Sequence, residues 1–376
     1  MVPAIEVRPA LKRLADSKSP SQELTLHGER LHYELLSGVG PTHGWVSTTL
    51  QGRALMEKVG VQNYVADAKD WSAYGVLPPL LASKWLAKYE HGRSARCRLV
   101  CFFGAGHDAV GFANWNQYTA EHFPLIEPLL VTLPGHGANR HVALQEDAQA
   151  LAKLAADELL GLTDKFGPFA LLGFSVGATA SYALALEMIE RGHKPLKLYV
   201  AGRAGPRIRY RPPAFEEIWA LDSIGWMRWF VANFATAEDV KRTERLIKLS
   251  DGPGDGLLKS IASSQKADML IGDSLAGASP LVIDSDLHVV ASRADEVWPA
   301  EETAKSGNHC DPPYMDCAET WQPFSRGIVT SKYFDEVKHS ELCTELLLEE
   351  VCCDLSGLLD RQNMAKQVAE NMYPRR

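Results

Sequence analysis

Gly173-Phe174-Ser175-Val176-Gly177 sets a serine between two glycines, with an apolar stretch before it and an alanine-rich one after it. A string of this form arises by chance about one time in eight in a chain of this length, so its setting carries the argument. FALLG before it reads as a short buried strand, and ATASYALALEMIERG after it reads as a helix. A serine on so tight a strand-to-helix turn needs small residues two before and two after it, and its hydroxyl then projects beyond the sheet. The N–H of Val176, at the start of the helix, can stabilise an oxyanion. The chemistry is nucleophilic attack on an acyl carbon; the plainer alternative is a small-residue turn with a passive serine.

A serine hydroxyl needs a base, itself oriented by an acid, and in sheets with this turn the chain order is Ser, acid, His. Four histidines follow Ser175: His193, His288, His309 and His339. His193 lies past the far end of the helix and His288 falls within a strand. His339, in VKHSEL, precedes a helix as a loop base should, and His309 is its rival. Asp295 follows the strand LHVVAS, at the end of a parallel strand where such sheets collect function; Asp335 and Glu336 are the substitutes. A second oxyanion donor is expected in FFGAGH (102–107), where Gly104 and Gly106 permit close approach and the N–H of Ala105 is the candidate.

These residues need elements to hold them. RLVCFF (98–103), LIEPLLVTL (125–133), FALLG, LKLYVAG (196–202) and LHVVAS (287–292) read as strands, and 141–162 and 178–192 as helices. That alternation predicts βαβ crossovers and a mostly parallel central sheet flanked by helices. Residues 206–280 break the rhythm as a helical, aromatic lid, and 341–359 close the chain as a helix. In residues 1–94, LTLHGERLHYELL has the alternation of a hairpin, whereas RALMEKVG and LLASKWLAKYEHG are helix-like.

The composition narrows the function classes. With 39 Lys and Arg against 47 Asp and Glu, the net charge of −8 gives no global pull on nucleic acid or anionic membranes. Seven cysteines without regular spacing disfavour a disulfide framework and suit the cytoplasm. The first twenty residues lack the apolar region of a secretory signal, although an organelle peptide stays open. Residues 166–186 are uncharged and long enough for a dimerising membrane helix, but Pro168 and the interspersed Gly, Ser and Thr favour strand and turn, so no membrane span is expected. Cys310 and Cys317, near His309, Asp311 and Asp316, match no common zinc spacing; neither metal nor cofactor is expected.

Together, CFFGAGHDAVGFANW (101–115), LPGHGANR (133–140), PFALLGFSVGA (168–178), LYVAGRAGP (198–206), SRADEVW and KHSEL resemble the type II thioesterases. These are α/β-hydrolases that accompany polyketide and nonribosomal peptide synthases, with a vertebrate relative acting on fatty acid synthase. The resemblance covers about residues 96–350. It implies an α/β-hydrolase fold with a helical lid, and hydrolysis of acyl thioesters from the phosphopantetheine arm of an acyl carrier protein. By position it makes Ser175 the nucleophile, Asp295 the acid, His339 the base, and Ala105 and Val176 the oxyanion donors. Phe174 and Val176 stand where the family usually has His and Met, and the loop from Phe103 to His107 departs from the family's pattern.

The domain organisation expected is an extension over 1–94, a hydrolase domain over 95–355 with an insertion at about 302–320, and a helical tail over 356–376. Trp219, Trp226, Trp229 and Phe230 are candidates for an acyl pocket, with packing of the lid helices the equal alternative. Arg203, Arg207, Arg209 and Arg211 have the right sign for an acidic carrier protein, though a solvated loop explains them as well. A carboxylesterase or acyltransferase on the same scaffold, and a non-catalytic binding module, are the competing functions.

Overall fold

A computed structural model of the chain describes residues 30–34, 43–47, 49–50, 53–54, 77, 80–86, 95–209, 214–276, 281–295 and 317–372. The chain divides into two compact units, Met1–Lys69 and Asp70–Arg376. In the first, β1 (Arg30–Glu34) pairs antiparallel with β2 (His43–Ser47), and β3 (Thr49–Leu50) with β4 (Arg53–Ala54). Of the hairpin expected within LTLHGERLHYELL, β1 is the described part and its partner β2 lies further along the chain; the rest of the segment lies outside the described residues. RALMEKVG opens as β4 instead of a helix, and its remainder lies outside the described residues.

The second unit is built on six parallel strands: β5 (Cys97–Phe102), β6 (Ile126–Leu130), β7 (Phe169–Phe174), β8 (Lys197–Ala201), β9 (Asp286–Ser292) and β10 (Val329–Phe334). Their spatial order is β6-β5-β7-β8-β9-β10. Successive side chains point to opposite faces of a strand, and both faces here are covered. Val100, Phe102, Leu171, Leu198, Val200, Leu287 and Val289 face one layer, which holds α2 (Ala148–Gly161) and α3 (Val176–Glu190). Leu99, Cys101, Leu172, Tyr199 and Val290 face the other, which holds α1 (Ala113–His122) and α10 (Glu345–Met372). Burial on both faces is why the central strands read as near-continuous apolar runs. The uncharged segment 166–186 is thus β7 and most of α3, and no described helix is long and apolar enough to cross a membrane.

Among the described residues, four helices occupy the span expected as a lid: α4 (Phe215–Trp219), α5 (Ser223–Phe234), α6 (Ala237–Leu249) and α7 (Gly256–Asp273). They carry an apolar core of their own around Trp226, Phe230 and Leu258. Most of the expected insertion lies outside the described residues; Cys317–Trp321 forms the short α8, which packs Trp321 into the sheet's core.

Two expected boundaries move. LLASKWLAKYEHG is not helical over Leu80–Leu86: Leu81 N–H donates to the Leu162 carbonyl (3.0 Å), the Trp85 carbonyl accepts from Thr132 N–H (2.7 Å), and Leu80, Trp85 and Leu86 pack on the core. Backbone groups taken by neighbouring elements are not free to close helical turns, and the compact unit begins ahead of residue 95. At the other end α10 runs without a break from Glu345 through residues 356–372, so the expected tail is the continuation of the closing helix.

Candidate active site

The sheet order creates the site. Strand β5 lies between β6 and β7, so the chain leaves β5 toward one edge and returns on its other side, and the loops after β5 and β7 diverge. Such a switch point opens a crevice at the carboxyl ends of the strands.

Ser175 occupies the turn from β7 into α3 at φ 54°, ψ −123°, a conformation that costs a non-glycine residue energy. The turn is pinned by Ser175 N–H to the Ala201 carbonyl (2.8 Å) and by Ala178 N–H to the Ser175 carbonyl (2.9 Å). The flanking glycines are steric necessities. A Cβ on Gly173 would lie 2.2 Å from the Gly177 carbonyl oxygen, and one on Gly177 would lie 2.5 Å from that of Phe102.

His339 opens the short α9 (His339–Leu342) and is 7% exposed. Its Nδ1 lies 2.9 Å from Asp295 Oδ2, just past β9, and its ring packs against Phe174 with centroids 4.9 Å apart. Of the alternatives, Asp335 is exposed and pairs with Arg293 at 2.6 Å, Glu336 is exposed, and His288 is buried with its Nδ1 2.7 Å from the Thr330 hydroxyl. His309 lies outside the described residues.

Ser175 and His339 line one cavity of about 240 Å³, together with Ala105 and Val176. None of the hydrogen bonds among the described residues joins the Ser175 hydroxyl to His339; such catalytic contacts often tighten only around substrate. Phe174, Phe230, Val231, Phe234 and Met269 supply apolar wall, and Thr236, Asp239, Thr243 and Gln265 a polar one. Combining a hydroxyl, a histidine held by a carboxylate, and backbone N–H groups, this arrangement can carry acyl transfer through a serine ester.

Two expected groups do not serve as the sequence suggested. Of the aromatic quartet only Phe230 reaches the cavity. Trp226 is fully buried in the lid's core, its indole N–H on Gln265 Oε1 (3.1 Å), and Trp219 and Trp229 pack around it. A lid that must hold itself together turns its largest rings inward. Arg203 is 4% exposed, donating to the Gly272 carbonyl (2.6 Å) and pairing with Asp273 (2.9 Å), so it ties the end of β8 to the lid, and it lines the cavity instead of the outer surface. Arg207 and Arg209 are exposed, and Arg211 lies outside the described residues.

Sequence reasoning missed a further, buried pair behind the cavity-lining Gly106: His136, within LPGHGANR, lies 2.9 Å from Asp268 on α7. The glycine-flanked histidine was visible, but its partner 132 residues away was not.

Residues 97–218 match the thioesterase domain family model, a stretch that runs from β5 into the first lid helix. The chain is similar to the gramicidin S biosynthesis protein GrsT of Aneurinibacillus migulanus, with 30% identity over 34% of this chain and 48% of GrsT. It is also similar to the medium-chain S-acyl fatty acid synthase thioesterase of Anas platyrhynchos, with 28% identity over 44% of this chain and 66% of that one. The chain thus spans about half the length of GrsT. The prodiginine-pathway thioesterase RedJ of Streptomyces coelicolor superposes with a TM-score of 0.54 at 20% identity, covering 75% of this chain and 96% of RedJ, a likeness of fold, that of the α/β-hydrolases.

Proposed function

We propose that the chain is a serine thioesterase that releases acyl groups from the phosphopantetheine arm of a carrier protein, with Ser175 as nucleophile, His339 as base and Asp295 as acid. The observation that carries this reading is the strained Ser175 turn on one cavity with a histidine whose Nδ1 meets a carboxylate. The names of its relatives, one a gramicidin S biosynthesis protein and one a fatty acid synthase thioesterase, supply the substrate class.

In this mechanism His339, its Nδ1–H held by Asp295, takes the Ser175 proton through Nε2 as Oγ attacks the thioester carbonyl. The N–H groups of Ala105 and Val176 receive the oxyanion. The C–S bond breaks, His339 returns the proton to the departing thiolate, and an acyl-serine remains. His339 then deprotonates a water that attacks the ester, the bond from the acyl carbon to Oγ breaks, His339 returns the proton to Oγ, and the acyl group leaves as a carboxylic acid. No metal or cofactor enters. The acyl group lies against Phe230, Val231 and Phe234. Exposed Arg207 and Arg209 have the sign an acidic carrier would meet. Burial pushes the thiols of Cys97, Cys101, Cys343 and Cys352 well up, which keeps them protonated and suits a cytoplasmic enzyme.

The test is hydrolysis of a graded series of acyl groups on carrier protein, on coenzyme A and on p-nitrophenol, with Ser175→Ala as control. Thioester hydrolysis lost in the control is expected. Turnover of oxygen esters alone would replace the reading with a carboxylesterase, and thioester hydrolysis by Ser175→Ala would overturn the nucleophile.

A further inference from the structure

Asp268 lies on lid helix α7 with 1% of its surface exposed. Its Oδ2 meets two groups outside the lid: it accepts from the Gly106 N–H at 2.8 Å, and His136 Nε2 lies 2.9 Å away. His136 is also buried, with Nδ1 3.1 Å from the Pro134 carbonyl oxygen. A ring nitrogen facing a carbonyl oxygen has to donate, and the opposite nitrogen faces a carboxylate, an arrangement that favours the charged ring, in which both nitrogens donate. Burial opposes that charge, but the hydrogen bond and charge of Asp268, helped by the Pro134 carbonyl, outweigh it and hold His136 above its ordinary pKa.

The loop held by this pair is the one after β5. Gly106 has φ +72°, and a Cβ there would come within 2.9 Å of Gln265 Cγ, one turn before Asp268 on α7. The lid helix therefore rests directly on the loop. Ala105 is bracketed: its neighbour Gly104 accepts from His107 N–H at 3.1 Å, its neighbour Gly106 donates to Asp268, and its own side chain packs on the lid's core. Among the described residues no other acceptor competes with this carboxylate for the Gly106 N–H.

We propose that Asp268, oriented by His136, is a positioning residue that fixes the Gly104–Gly106 loop, so that the Ala105 oxyanion donor is assembled only while α7 is seated. This rests on the proposed function for its catalytic consequence. The lid then does more than cover the acyl group, because displacing α7 also dismantles half of the oxyanion site.

The experiment compares the full chain with Asp268→Ala, Asp268→Asn and His136→Gln, reading both thioester hydrolysis and amide hydrogen exchange at Gly106. Removing one oxyanion donor typically lowers kcat by about 100-fold or more, so Asp268→Ala is expected to lose about 100-fold in kcat with KM changed less than about threefold. Asp268→Asn keeps an oxygen that can accept from Gly106 and His136 but removes the negative charge that holds both, and His136→Gln keeps a donor for Asp268. Both are expected to fall between wild type and Asp268→Ala, and both keep the test open should Asp268→Ala not fold. Exchange at Gly106 should quicken about tenfold or more in Asp268→Ala while strands β5 and β7 stay protected. Unchanged Gly106 exchange, or a folded Asp268→Ala with wild-type kcat, overturns the proposal. A wild-type chain without Ser175-dependent hydrolysis overturns the proposed function instead, and the exchange readout still decides whether Asp268 holds the loop.

Discussion

Gly177→Ala separates two physical effects of opposite sign. Gly177 is the second residue of α3, where alanine's helix propensity would stabilise by at most about 1 kcal/mol. The added Cβ would lie 2.5 Å from the Phe102 carbonyl oxygen, 2.7 Å from its carbon and 2.7 Å from the Phe103 oxygen, against about 3.4 Å for ordinary contact. All three atoms belong to the backbone at the end of β5, so no side chain can turn aside. The start of α3 must withdraw by up to about 0.9 Å, the difference between 3.4 and 2.5 Å. Overpacking of this kind costs about 3 kcal/mol when nothing gives way, leaving a net loss of about 2 kcal/mol after the propensity gain. The same withdrawal shifts Ser175 and the Val176 N–H away from the loop bearing Ala105, and a misplacement near 1 Å costs about 100-fold in rate. Urea denaturation and steady-state thioester hydrolysis read the two consequences separately. A Gly177→Ala protein as stable as wild type, with kcat within about twofold, would refute the steric reasoning.

Asp295→Asn keeps the shape of the acid but leaves His339 Nδ1 without a carboxylate, so kcat should fall about 10⁴-fold with KM little changed; a loss under tenfold in steady-state assays would move the acid elsewhere. Trp226→Ala empties the centre of the lid's core, and a loss of about 3 to 5 kcal/mol is expected there; hydrogen exchange should quicken in α5 and α7 ahead of the sheet, and uniform protection would contradict a lid with its own core. Asp354→Asn removes the carboxylate that Lys197 meets at 2.8 Å and leaves a 10% exposed ammonium unpaired, at a cost of about 3 kcal/mol. Burial resists ionisation of Asp354, but Lys197, through charge and hydrogen bond, and the Tyr199 hydroxyl hold its carboxyl below the usual range. The stabilisation is therefore complete above the unfolded value near about pH 4 and disappears as pH falls through the depressed folded value. Melting curves of wild type and Asp354→Asn should converge in that acid range, and a gap independent of pH would show that the pair is not ionic.

The central strands were readable because burial on both faces leaves each little choice but an apolar run, and the turn at Ser175 because its requirements fall within five residues. The same logic explains what was not readable. Strand β10 has one covered edge and partly exposed residues throughout, so VTSKYF carries no apolar run. The helix α1, ANWNQYTAEH, buries Trp115, Asn116 and Thr119 and has no apolar stripe to announce it. Segment Leu80–Leu86 has helix-forming residues, yet its backbone partners, Leu162 and Thr132, come from elsewhere in the chain.

The lid marks the same limit more sharply. Four arginines within nine residues look alike in sequence, but Asp273, 70 residues on, takes Arg203 into the interior and leaves Arg207 and Arg209 outside. Three tryptophans and a phenylalanine look like one aromatic lining, but only Phe230 turns to the cavity because the other rings supply the lid's own core. In each case the residue type was informative and its direction was not, since direction is set by a partner on another element. His136 and Asp268 follow this rule as well: neither is unusual in its own segment, and only α7 lying across the loop after β5 gives them a common task. The Ser175 turn is thus written locally, whereas the groups that hold the loop opposite it are written across 132 residues of chain. A substitution in α7 far in sequence from Ser175 can for that reason reach the chemistry through one amide, that of Gly106.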